Sequence, residues 1–213
     1  MSLVDLRSGD LRPGAAASAP PTAALLLHGF GSNERDLAGL VPALGLDLPW
    51  ASLRAPLPAG PGSAWFQITT PGSPDAAPVE AATAAIWSWV DEHLDAATRV
   101  VPIGFSQGGL MATQLLRTRP ERVLAPVVLG GFVLGAPQPA DEQLATSRPP
   151  AFWGRGAEDR VIAAHAVART SEWLPRHTDL VERVYPGLAH GISTDELADV
   201  RAFLAESVVG GRA

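Results

Sequence analysis

The stretch Val100-Val101-Pro102-Ile103-Gly104-Phe105-Ser106-Gln107-Gly108-Gly109-Leu110-Met111-Ala112 decides how this chain is read. It opens as a β-branched apolar run, which suits a strand, and closes as the start of a helix. Between them lies the pattern G-x-S-x-G at Gly104–Gly108. In a nucleophile elbow this pattern sets a serine on a sharp strand-to-helix turn. Glycine two residues to either side removes side chains that would clash there. The first N–H groups of the following helix lack helical partners and can face a developing oxyanion. The spacing predicts a helix from Gln107 to about Thr118, stopped by Pro120, with Arg117 and Arg119 at its negative end. A bare pentapeptide recurs by chance in a chain with 21 glycines. The competing reading is therefore a Gly-rich turn with an inert serine. The flanking strand and helix favour the elbow.

The same rhythm continues outward. Ala23–Leu27 is a short apolar run, expected to be a strand buried on both faces. It leads into His28-Gly29-Phe30-Gly31-Ser32-Asn33. Leu37, Leu40, Val41 and Leu44 then share a helical face that Ser32 or Asn33 could cap. Residues 8–22 are expected to be a loop and 49–54 a strand. Residues 55–78, crowded with Pro and Gly, are expected to be a long surface loop, although Ala64-Trp65-Phe66 within them favours burial.

Val79, Thr83, Ile86, Val90 and Leu94 predict a long amphipathic helix before the Ser106 strand. After the Ser106 helix, Arg122–Leu129 is a strand candidate interrupted by Pro126. A turn at Gly130-Gly131-Phe132 follows, then a polar stretch with a weak helix signal over 137–148. Ala151–Gly154 is a further strand. Ile162, Ala166, Arg169 and Trp173 trace a helix, with the arginine snorkelling. Leu180–Tyr185 reads as a peripheral strand, followed by the loop Pro186–Gly191. Ser193 and Glu196 have capping-box spacing ahead of a last helix marked by Leu197, Val200 and Leu204.

Alternating strands and helices imply a mostly parallel sheet with helices on both faces. No internal repeat or domain boundary interrupts it, so residues 1–213 are expected to form one domain. Open parallel sheets carry their sites at the carboxyl ends of strands. His28, Ser106, Asp159 and His190 all follow expected strands.

Composition narrows the chemistry. The 213 residues are 46% hydrophobic and 18% charged, which excludes disorder. A formal charge of −6 argues against non-specific nucleic-acid binding. All 16 basic residues are arginine, so no lysine nucleophile or Schiff base is available. The absence of cysteine removes disulfides, thiolate metal sites and a cysteine nucleophile. The charged N-terminus lacks the apolar core of a signal peptide, and no run is long enough to span a bilayer. A soluble, cytoplasmic protein without stable membrane insertion is expected.

A serine hydroxyl needs a base, and a histidine base needs a carboxylate to fix its tautomer. The chain order Ser106, Asp159, His190 is the α/β-hydrolase order. Glu158 is the nearest competitor for the acid, ahead of Asp141 and Asp179. His93 and His165, in expected helices, and His177, in an expected turn, are read as packed or solvated. His28 is read as shaping its turn.

This arrangement resembles the α/β-hydrolase superfamily over nearly the whole chain. More narrowly, it is similar to the phospholipase/carboxylesterase family, which includes acyl-protein thioesterases. The features are Leu27–Gly31, Ala64-Trp65-Phe66, Gly104–Gly109, Asp159-Arg160-Val161-Ile162, and His190 near Ile192. The resemblance implies a compact α/β-hydrolase fold without a large lid domain, and no metal or organic cofactor. It implies oxyanion-hole N–H groups from Phe30 and Gln107, and an acyl pocket near Trp65 and Phe66. Phe132 and Leu188, on the two neighbouring turns, are expected to complete that pocket. Two departures stand out: Gly130-Gly131 where many members have Ser-Gly, and Ala163 where proline is common.

The expected activity is hydrolysis of carboxylic esters with small-to-medium acyl chains through an acyl-enzyme. The alternative on the same triad is an acyl-thioesterase or lysophospholipase. A non-catalytic ligand-binding or interaction protein on this fold is the alternative of another class.

Overall fold

The computed structural model describes residues 3–9, 11 and 21–209. Much of the loop expected over 8–22 lies outside the described residues. Among the described residues, the main sheet has seven strands. They are β1 (Val4–Arg7), β2 (Thr22–Leu27), β3 (Trp50–Arg54), β6 (Arg99–Phe105), β7 (Val127–Leu129), β8 (Pro150–Gly156) and β9 (Asp179–Tyr185). Their spatial order is β1-β3-β2-β6-β7-β8-β9. Every pairing is parallel except β1 with β3. A separate antiparallel hairpin joins β4 (Leu57–Ala59) to β5 (Gly62–Ala64).

Alternation along the strands separates two apolar layers. Leu25 and Leu27 point to one face, with α2 (Ala76–His93) and α3 (Gln107–Thr118) packed over them. Ala24 and Leu26 point to the other, against the four-residue α1 (Val41–Leu44) and α6 (Thr194–Leu204). Further along the sheet, α4 (Asp141–Ser147) packs beside α5 (Ala164–His177). Leu174 of α5 packs on Val128 and Trp153. Helices therefore cover both faces of a mostly parallel sheet, as the βα rhythm predicts.

Several local expectations are corrected. Residues 55–78 are not a plain surface loop: they hold the hairpin, and Gly62–Phe66 is buried throughout. The strand expected over 122–129 is cut to Val127–Leu129, because Pro126 has no N–H for the ladder. Its carbonyl still accepts from Phe152 N–H at 3.0 Å. Neither Ser32 nor Asn33 caps α1: Ser32 bonds Asp36 and Asn33 accepts from Arg35 N–H. A turn of 3-10 helix at Leu37–Leu40 stands between them and α1. Arg169 does not snorkel, since it donates to the carbonyls of Val133 and Gly72. His177 is the last residue of α5, stacked on Trp173 at 4.1 Å. No helix is long and apolar enough to cross a membrane among the described residues.

Candidate active site

β6 ends at Phe105 and α3 starts at Gln107, leaving Ser106 alone in the turn. Its φ of 55° and ψ of −114° are strained for a residue with a side chain. Two close approaches require glycine here. A Cβ on Gly104 would lie 2.0 Å from the Gly108 carbonyl oxygen, and one on Gly108 would lie 1.8 Å from that of Leu27. The turn is also tied to β7, since Ser106 N–H donates to Leu129 O at 2.8 Å.

His190 lies on the loop between β9 and α6. Its Nε2 is 2.9 Å from Ser106 Oγ and its Nδ1 is 2.7 Å from Asp159 Oδ2. An ionised carboxylate can only accept, so the Nδ1 proton points to Asp159 and Nε2 is free to take the serine proton. Asp159 is fixed in turn by its other oxygen. Oδ1 accepts from the N–H groups of Val161 and Ile162 at 2.8 and 3.2 Å. Its side chain is only 7% exposed, so these bonds act in a low-dielectric setting. The Phe105 ring lies 4.9 Å from the imidazole and limits its tilt. Glu158, the competing acid, is exposed. Asp141 is engaged by Arg117, and Asp179 sits at the start of β9, at the opposite end of the strand.

His28 is buried and cannot serve as a second base. Ala55 N–H donates to its Nε2 at 3.0 Å, so the ring carries its proton on Nδ1 and gives it to Gly29 O at 2.7 Å. Burial lowers its pKa and keeps it neutral. Both nitrogens are thus used to hold the loop that carries Phe30.

Beside Ser106 is a cleft of about 230 Å³ lined by Phe30, Phe66, Gln107, Phe132 and Ile162, with Ile68 and Val161 at its edge. The residues expected at an acyl pocket separate here. Phe66 and Phe132 line the cleft; Trp65 and Leu188 do not. Trp65 lies beneath it, 1% exposed, because its indole N–H reaches His28 O at 2.9 Å. Leu188 contributes its backbone, its carbonyl accepting from Glu158 N–H at 2.9 Å beside Asp159. Ile68 and Ile162 were not anticipated at the cleft. The only sequence signal for Ile162 is its place directly after the Asp159 turn. Phe30, 48% exposed, stands at the mouth, and its backbone lies on the loop facing the elbow. Among the described residues, no group of three or more His, Cys, Asp or Glu could hold a metal ion.

The sequence pattern of the phospholipase/carboxylesterase family matches residues 15–208. Acyl-protein thioesterase 1 of Kluyveromyces lactis is 23% identical over 207 residues, covering 86% of this chain and 91% of its own. The protein of the same name in Debaryomyces hansenii is 28% identical over 156 residues, covering 66% of this chain and 65% of its own. Among solved structures, the Bacillus cereus carboxylesterase superposes with a TM-score of 0.78. It is 18% identical and covers 96% of this chain and 94% of that one, a likeness of fold.

Proposed function

Since the chain belongs to the phospholipase/carboxylesterase family, we propose that it is a serine carboxylesterase whose nucleophile, base and acid are Ser106, His190 and Asp159. One observation carries this reading: the unbroken path from Asp159 Oδ2 through His190 to Ser106 Oγ, in steps of 2.7 and 2.9 Å. Ser106 Oγ attacks the ester carbonyl as His190 Nε2 takes its proton. Asp159 stabilises the imidazolium and does not itself become protonated. Backbone N–H groups of Phe30 and Gln107 receive the oxyanion, held in place before reaction by the His28 bonds and the helix start. His190 returns the proton to the leaving alcohol. Water, deprotonated by His190, then releases the acid and restores Ser106.

The small apolar cleft fits acyl chains of small to medium length. Two relatives are named acyl-protein thioesterases, which favours thioesters as a second substrate class on the same machinery. The triad acts on either leaving group, because the acyl half meets the cleft in both. A bonded triad beside an open cleft favours catalysis over a merely binding role. We further infer one hydrolase domain over residues 1–213, working in the cytoplasm.

A fluorophosphonate probe with peptide mapping tests the assignment. It should label Ser106 alone, and Ser106→Ala should lose both label and ester hydrolysis while melting as the parent does. A label on another serine, or a fully active Ser106→Ala, overturns the reading.

A further inference from the structure

The side chain of Gln107 does something separate from its backbone N–H. It is 3% exposed and makes two bonds to one neighbouring segment. Oε1 accepts from Trp65 N–H at 2.9 Å, and Nε2 donates to Phe66 O at 2.7 Å. A planar amide thus pairs with consecutive backbone groups, much as a strand partner would. It does so just past Ala64, where β5 ends and the hairpin stops supplying partners.

The segment it holds has two roles. Trp65 reaches under the oxyanion loop through its indole bond to His28 O at 2.9 Å. Phe66 forms a wall of the cleft next to Ser106. The hairpin bonds the same loop: Gly31 N–H donates to Ser63 O at 2.9 Å and Ser63 N–H to Ser32 O at 2.8 Å. Gln107 therefore closes a ring joining the elbow, the cleft wall and the oxyanion loop. A side chain rooted one residue after the nucleophile fixes how far the Phe66 wall stands from the attacked carbonyl.

We propose that the Gln107 side chain is a positioning residue that sets acyl-chain selectivity by holding Phe66 against the elbow. The proposal rests on the esterase reading above. It acts through Phe66, not on the reacting atoms. A side chain that touches the unreacting acyl chain binds ground and transition states alike, so displacing the Phe66 wall should move KM more than kcat.

The test compares kcat/KM for p-nitrophenyl butyrate and octanoate in the full chain. Gln107→Met keeps the volume and removes both bonds; the butyrate-to-octanoate ratio should shift by roughly fivefold, within the range expected of pocket fit. Gln107→Glu adds a readout that a merely structural role would not move. Ionised, its carboxylate still accepts from Trp65 N–H but opposes the Phe66 carbonyl; protonated, it can donate to that carbonyl again. The parental ratio should therefore return as pH falls. His28 and His190, the titratable groups nearby, act on both substrates and cancel in the ratio. In a Phe66→Ala background, Gln107→Met should shift the ratio by less than about twofold, because the element it positions is gone.

An unchanged ratio in Gln107→Met overturns the proposal. So does a shift that persists in Phe66→Ala, or a Gln107→Glu ratio that stays away from the parental value as pH falls. If Gln107→Met fails to fold, the Gln107→Glu pH series decides by itself. Fluorophosphonate labelling separates the two levels: an unlabelled parent overturns the esterase reading, whereas a labelled parent with flat ratios overturns only the role of Gln107.

Discussion

Two buried charged side chains in this molecule are treated in opposite ways. Arg117, in the last turn of α3, is 2% exposed. It makes a two-pronged bond to Asp141 at 2.8 and 2.7 Å and donates to the carbonyls of Leu134 and Ala136. The Trp173 ring lies 4.7 Å from its guanidinium. Glu196, in the first turn of α6, is 0% exposed. Neither of its carboxyl oxygens has a hydrogen-bond partner of normal geometry among the described groups. It lies against Gly154 of β8, where a Cβ would come within 2.1 Å of Glu196 Oε1.

The difference sets two opposite responses to pH. Burial pushes the Asp141 carboxyl up, but Arg117 and the Gln138 N–H outweigh it and leave it below its ordinary value. Stability from that pair is present above the unfolded pKa and is lost as pH falls through the folded one. Glu196 goes the other way. Burial raises it from 4.5 to about 7, with the Asp199 charge adding and the Ser193 N–H only partly opposing. Its folded pKa exceeds the unfolded one, so stability is full below about 4.5 and falls as pH rises to about 7. A satisfied buried charge holds a loop in place. A poorly bonded one, just after the His190 loop, makes that end of α6 responsive to pH.

Asp159 is a third carboxylate that sharpens the contrast, since it is as fully bonded as Asp141 but to the histidine proposed as the base. Asp159→Asn should leave melting close to the parent and cut turnover by about 10⁴-fold, the loss known for the same change in a different serine hydrolase. Steady-state kinetics on the folded variant checks this; a loss under tenfold would move the acid elsewhere, with Glu158→Gln the next variant to measure.

Arg117→Met should do the reverse. It leaves Asp141 with only the Gln138 N–H and two carbonyls without their donor, so unfolding in urea should lose about 3–5 kcal/mol. Turnover per folded molecule should not change. A loss below about 1 kcal/mol, or a fall in turnover per folded molecule, would erase the division between the two regions.

The smallest effect belongs to Glu196→Gln. The neutral amide removes the charging penalty, which has an upper bound of about 3 kcal/mol for a shift of this size. The variant should exceed the parent by about 2 kcal/mol at about pH 8 and gain nothing at about pH 4. Equal stability at the higher pH would mean that Glu196 ionises freely in the folded protein.

What could be read from the sequence follows from where the physical signal is local. Leu25–Leu27 and Val101–Ile103 declare themselves as apolar runs, and Gly104–Gly108 carries its geometry within five residues. β1 was missed because an edge strand with mostly exposed residues has no apolar run to show. The hairpin is not legible because Gly62 and Ser63 are buried by closeness to Gly31 and Ser32, not by hydrophobicity. Trp65 pointed to a pocket because a large aromatic in a loop must bury somewhere. Its indole N–H needed an acceptor, and His28 O supplied one on the far side. Glu196 had capping spacing, and Ser193 Oγ does accept its N–H. Nothing local could show that the acid would turn inward, since it packs against Gly154, more than forty positions earlier.

The parallel order of the sheet also has a consequence for biosynthesis. Ser106 leaves the ribosome directly after β6, whose neighbours β2 and β7 bracket it in sequence. His190 is 84 residues later. At about 5–20 residues per second, translation of that interval takes roughly 4–17 s. Throughout it the elbow can form, but the base proposed for it, His190, does not yet exist. On the roles proposed above, the nascent chain is thus chemically silent until His190 has been made, and by then every strand of the sheet has been translated.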